Sequence, residues 1–171
     1  LAGMTGTGRT SAREFRRVYR MHVIPVPTNR PPQRIFLPDR VFGTSDQKWT
    51  AVVEEVARIC EDQPVIIFDF QEYELMYKML KEHKIVKNVP VFKVDPTNAL
   101  NFHTSQSNEK LGVFLVHKDM MRGFDMRKGC DAKVHVVLYD EKIAFSKIMQ
   151  MAGRGNRTQG KADCAVWTTD V

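Results

Sequence analysis

The sequence predicts an α/β fold in three layers, with a mainly parallel sheet in the middle and helices on both faces. Three observations carry this. From residue 63 onward, short apolar runs alternate with segments of helical period, the texture of strand–helix–strand units. The runs at 64–70 and 112–117 are apolar nearly throughout, as strands buried on both faces are. The chain is also long enough to fill such a core: 171 residues, 43% apolar and 27% charged, suit one domain, or one domain with a short appended piece.

Taken in order, residues 1–8 are a turn dense in Gly and Thr. Ser11 and Glu14 have capping-box spacing, which predicts a short helix running to about Arg20. Arg9, Arg13, Arg16 and Arg20 recur every three or four residues and share one face, with Phe15 and Val18 elsewhere. Residues 21–27 read as a strand. Pro27, Pro31 and Pro32 make 27–34 an extended linker. Thr44 and Gln47 can cap a helix over 46–60, whose Trp49, Val52, Val53, Val56 and Ile59 form an apolar stripe. Then come a strand at 64–70 and a helix at 72–83, with Leu75, Met76, Met79 and Leu80 facing inward. Strands follow at 89–94, 112–117 and 134–139, then a helix at 141–151 and a last strand at 164–169. Residues 95–110 are polar, weakly patterned and read as a loop.

Composition excludes several classes. No apolar run is long enough to span a bilayer, and residues 1–20 lack the apolar stretch of a secretory leader. Cys60, Cys130 and Cys164 are far apart with no CxxC, which predicts no disulfide framework or structural zinc and a reducing compartment. The five histidines have no metal-ligand spacing, and no metal site is expected. The net charge of +6 permits anionic partners without choosing one. Met120, Met121, Met149 and Met151 are expected to fill the core.

Three stretches can carry chemistry. In a parallel sheet, ligands gather at the carboxyl ends of the strands, so the loops after strands matter most. Residues 150–157 place Arg154 and Arg157 three apart, with Gln150, Gly153 and Gly155 beside them. Two guanidiniums so spaced can clamp a phosphate and stabilise charge on a transferring phosphoryl group. The same spacing also suits a solvated basic turn at a helix end. Arg122, Gly123 and Asp125 follow a strand, where they can meet ribose or phosphate, or form a plain surface turn. Gly3, Thr5, Gly6 and Thr7 offer backbone amides and hydroxyls, but lack the Gly-x4-Gly-Lys-Ser/Thr of a P-loop.

In this order the stretches resemble the SecA family, the ATP-driven motors of bacterial protein export. Leu1-Ala-Gly-Met-Thr-Gly-Thr7 is similar to the coupling motif that ends the family's first nucleotide-binding lobe. Glu14-Phe-Arg-Arg-Val-Tyr19 and Val26-Pro-Thr-Asn-Arg-Pro31 are similar to the helix, strand and linker that cross to the second lobe. From residue 64 the likeness is to that second, RecA-like lobe of the P-loop NTPases. Arg122-Gly-Phe-Asp125 stands where the family has Arg-Gly-Thr-Asp, and Gln150-x-x-Gly-Arg154-x-x-Arg157 where helicase-type arginine fingers stand.

The resemblance implies residues 1–34 as the end of the first lobe plus linker, and 35–171 as the second lobe. It implies Arg154 and Arg157 as catalytic fingers, with Arg122, Gly123, Asp125, Gln150 and Gly153 contacting nucleotide. Gly3, Thr5, Gly6 and Thr7 would couple the lobes. ATP and Mg²⁺ are the implied cofactors, with the metal ligands and Walker elements on the first lobe. The implied partners are that lobe, an unfolded preprotein and a membrane channel. An anionic membrane surface is also possible, and nucleic acid is the weaker expectation. The protein would work in the cytoplasm, peripherally at a membrane. The competing readings are the C-terminal lobe of a superfamily-two RNA or DNA helicase, and a non-catalytic RecA-like regulatory domain.

Overall fold

The computed structural model describes residues 2–6, 8–27, 34–69, 72–97, 112–120, 134–139, 145–152 and 162–169. Among the described residues, seven strands make one sheet: β1 (Arg34–Phe36), β2 (Arg40–Phe42), β3 (Val65–Asp69), β4 (Val91–Val94), β5 (Val113–His117), β6 (Val134–Tyr139) and β7 (Ala162–Thr169). Every pairing is parallel, in the order β1-β7-β6-β3-β5-β4, with β2 also on β7. The helices are α1 (Ala12–Tyr19), α2 (Ser45–Ile59), α3 (Tyr73–Glu82) and α4 (Phe145–Ala152).

Alternation along the strands sorts the core. Val65 and Ile67 of β3, Val113 and Leu115 of β5, and Val91 of β4 join Val52, Val53 and Val56 of α2 and Met76 and Leu80 of α3 in one buried cluster. Ile66, Phe68, Phe114 and Val116 point to the opposite face and are equally buried. The chain moves one way along the sheet from β3 to β4 and the other way from β6 to β7. Right-handed crossovers therefore place α3 and α4 on opposite faces. These are the three layers the sequence predicts.

The predicted helix over 46–60 forms as α2, with the Thr44 hydroxyl accepting the Gln47 amide hydrogen at 3.3 Å. Three expectations are corrected. The first helix opens as a 3-10 turn over Gly8–Ser11, and Ser11 makes no side-chain cap, so the capping box is not used. Residues 21–27 belong to no strand: Ile24 and Val26 are exposed, and Pro25 and Pro27 lack the amide hydrogens a ladder needs. Leu75 of α3 is exposed rather than inward.

The sheet also has an edge, β1 and β2, that the pattern did not announce. Phe36 stands opposite Cys164 and Arg40 opposite Trp167, so four steps on this edge match three on β7. The extra residue, in the stretch holding Pro38, is a bulge, and an edge strand is where proline is tolerated. The predicted loop over 95–110 is described only through residue 97. There Asp95 accepts hydrogen bonds from the amide and hydroxyl of Thr97.

Candidate functional site

β3, β5 and β6 end level with one another: Asp69 is opposite His117 on one side and Tyr139 on the other. The helices after β3 and β6 leave for opposite faces, so the sheet switches direction between these neighbours. Such a switch point opens a crevice at the carboxyl ends of the strands.

A cluster of side chains occupies the β3–β5–β4 side of that edge. Tyr73, the first residue of α3, donates its hydroxyl hydrogen to the carbonyl oxygen of Leu115 at 3.2 Å. Its ring meets His117 edge-on, with centroids 5.4 Å apart. The Lys93 ammonium lies 5.3 Å from the Tyr73 ring centre and 4.8 Å from that of Tyr77, and it pairs with Glu74. The Asp119 amide donates to Nδ1 of His117 at 3.3 Å, and a carboxylate oxygen of Asp119 lies 3.4 Å from the same nitrogen. The cluster ties the start of α3 to the ends of β4 and β5, just before the chain reaches Arg122. Sequence reasoning missed it, because its members come from three separate stretches and no spacing connects them.

The sequence-predicted residues divide as follows. Gln150 is on α4, half-buried, next to the fully buried Met151. Gly3, Thr5 and Gly6 lie in an exposed turn. There the Thr5 methyl closes over the buried Gly8, 2.7 Å from where a Cβ would stand, while Gly3 and Gly6 have open space around them. Thr7, Arg122, Gly123, Asp125, Gly153, Arg154 and Arg157 lie outside the described residues. Among the described residues, no group of three or more His, Cys, Asp or Glu is placed to hold a metal, and no helix is long and apolar enough to cross a membrane.

On the α2 side of the sheet, Glu55 is 7% exposed and accepts two hydrogen bonds from Arg58, at 2.6 and 3.3 Å. Arg40 of β2 approaches it to 3.8 Å. The carboxylate's hydrogen bond and charge hold the Arg58 pKa above its ordinary value. This cluster fastens the edge strand to α2.

No family model matches the chain. Individual proteins do. It is 48% identical over 132 residues, 75% of its length, to the protein translocase subunit SecA of Acidothermus cellulolyticus. It is 31% identical over 170 residues, 91% of its length, to SecA of Gloeobacter violaceus. The chain is a homologue of the SecA protein translocase subunits. It spans 13% and 18% of those two SecA proteins.

Solved structures similar in shape include helicase C-terminal lobes. The C-terminal domain of the DEAD-box protein Dbp5 has a TM-score of 0.61 at 15% identity, covering 80% of this chain and 77% of that one. S. cerevisiae Dbp5 bound to RNA and ADP BeF3 gives 0.61 at 15% identity, covering 100% and 44%. At that identity the likeness shows the fold, which is RecA-like and shared by the SecA homologue described here and the helicases.

Proposed function

We propose that this chain is the second nucleotide-binding lobe of a SecA-type motor ATPase, together with the segment that joins it to the first lobe. Residues 1–34 would be the joining segment and 35–171 the lobe. The observation that carries the reading is a pair of likenesses covering the same chain: SecA relatives over up to 91% of it, and a helicase C-terminal lobe in its fold.

The donor chemistry fits a nucleoside triphosphate. Two guanidiniums suit phosphate oxygens, and one carboxylate suits a ribose hydroxyl or a facing arginine. Arg154 and Arg157 would reach into the cleft between lobes and stabilise the charge that develops on the transferring phosphoryl group. They act as preorganised cations that need no reorganisation during the step. Asp125 and Arg122 would hold nucleotide, with Gly123 and Gly153 permitting close backbone approach and Gln150 beside them. ATP, when bound, supplies the transferable phosphoryl group. The Walker elements and Mg²⁺ ligands are assigned to the first lobe.

Opening and closing of the cleft would pass through the turn bearing Gly3, Thr5, Gly6 and Thr7. The mechanical output would be movement of an unfolded preprotein through a membrane channel, from the cytoplasmic side.

On this reading the 171-residue chain alone binds ATP weakly and does not hydrolyse it. Calorimetry and a phosphate-release assay check this, and appreciable turnover by pure chain would sink the proposal. RNA-stimulated turnover, in a mixture with a first lobe, would move the assignment to the helicases. A folded mixture that never turns over would move it to a regulatory domain.

A further inference from the structure

β5 delivers the chain to the carboxyl edge of the sheet, and His117 is its last residue. One 3-10 turn follows, Lys118–Met120, and Arg122 comes two residues after it. The turn is pinned at both ends. Met120, 8% exposed, buries the far end. At the near end the His117 ring is held from two sides. Tyr73 meets it edge-on, with the ring planes at 89°, and is itself bonded to the same strand through the Leu115 carbonyl. On the other side, Nδ1 accepts the Asp119 amide hydrogen.

Two parts of Asp119 compete for that nitrogen, and they need opposite protonation. Accepting from the amide, at 3.3 Å, requires a lone pair on Nδ1, so the ring is neutral with its hydrogen on Nε2. The Asp119 carboxylate, with an oxygen 3.4 Å from Nδ1, can bond there only when Nδ1 carries a hydrogen. One proton therefore decides whether His117 holds the backbone or the side chain of Asp119. The Asp119 side chain is 61% exposed, so it can turn to water while the ring is neutral.

We infer that His117 is a positioning residue for Arg122. Neutral, it grips the Asp119 backbone and sets the turn that presents Arg122 to a nucleotide phosphate. Protonated, it exchanges that grip for the Asp119 carboxylate and releases the turn. The inference rests on the nucleotide role proposed above for Arg122.

Other charged and titratable groups surround the ring. α3 brings Tyr73, with the Lys93–Glu74 pair beside it. Asp69 ends β3 opposite His117 in the register, Asp95 follows β4, and Lys118 is next in sequence. His117→Asn separates the ring from all of them. It keeps an acceptor at the place of Nδ1, cannot take the proton, and leaves every neighbour unchanged.

The test is calorimetric titration of the 171-residue chain with ATP across about pH 5–8, where histidine changes charge. His117→Leu removes the acceptor altogether. Asp119→Asn, at an exposed position, removes the carboxylate and keeps the amide. Imidazole nitrogen chemical shifts report which nitrogen of His117 carries hydrogen. ATP's own titration is common to every variant. Relative to His117→Asn, the unaltered chain should lose about 5-fold in affinity toward the acid end, the worth of one hydrogen bond. His117→Leu should bind about 5-fold more weakly than the unaltered chain at neutral pH. Asp119→Asn should lose less at the acid end than the unaltered chain does. Parallel pH profiles for the unaltered chain and His117→Asn would overturn the inference, and so would hydrogen on Nδ1 at the alkaline end. Arg122→Ala tells the two readings apart. If it weakens ATP binding while the His117 variants do not, the positioning role alone falls. If it binds ATP as the unaltered chain does, the nucleotide role of Arg122 falls and takes the inference with it.

Discussion

Glu55 shows how one carboxylate can hold a sheet edge. It is nearly buried and faces two arginines, Arg58 on its own helix and Arg40 on β2. Glu55→Gln keeps the shape and removes the charge, leaving both guanidiniums without their anion. Arg58 is well exposed and can recover water, so the expected loss is modest, about 1–2 kcal/mol. It should read as a lower urea midpoint with an unchanged slope.

Cys60 is fully buried at the end of α2. Burial pushes its thiol pKa up, and the nearby Glu61 charge adds to the shift. The thiol should therefore alkylate slowly under native conditions and readily in denaturant. The raised value also fixes a sign. Below the unfolded thiol's pKa both states carry the proton and stability is unaffected by it. As pH rises through that value, 9.0, the unfolded chain ionises first and stability falls. Urea melts at neutral and alkaline pH test this.

At the scale of elements, what could be read in advance was whatever local pattern decides. The stripe of Trp49, Val52, Val53, Val56 and Ile59 placed α2 to within a residue at each end, because burial of that stripe and the Thr44 cap act in the same direction. Thr44→Ala should cost about 1 kcal/mol, measured by thermal unfolding. The unbroken apolar runs likewise placed β3 and β5.

The failures are elements fixed by distant partners. β1 and β2 are three residues each, broken by Pro38, and exist because β7 offers an edge more than a hundred residues away. Residues 21–27 have strand composition without an edge to join, so the same preference yields no strand. Leu75 fits the helical period of α3, yet α3 packs on a narrower stripe, through Met76 and Leu80.

For the whole molecule, the layered parallel sheet was legible because alternation of strand and helix leaves few other topologies. The switch point at β3 and β6 was not, since the order in space depends on pairings that no local segment encodes. The Tyr73–Lys93–His117 cluster was hidden for the same reason: three stretches meet only once the sheet is assembled. Arg154 and Arg157 lie outside the described residues; their spacing raised them as an expectation, and their role is the central claim of the proposed function.

Joining this chain to a SecA first lobe and following ATP hydrolysis tests that claim most directly. Unfolded polypeptide and anionic vesicles should stimulate the joined protein. Arg154→Ala and Arg157→Ala should each lower turnover by about 10³-fold while leaving its melting temperature in place. Full turnover retained in both variants would contradict the account, whatever the fold.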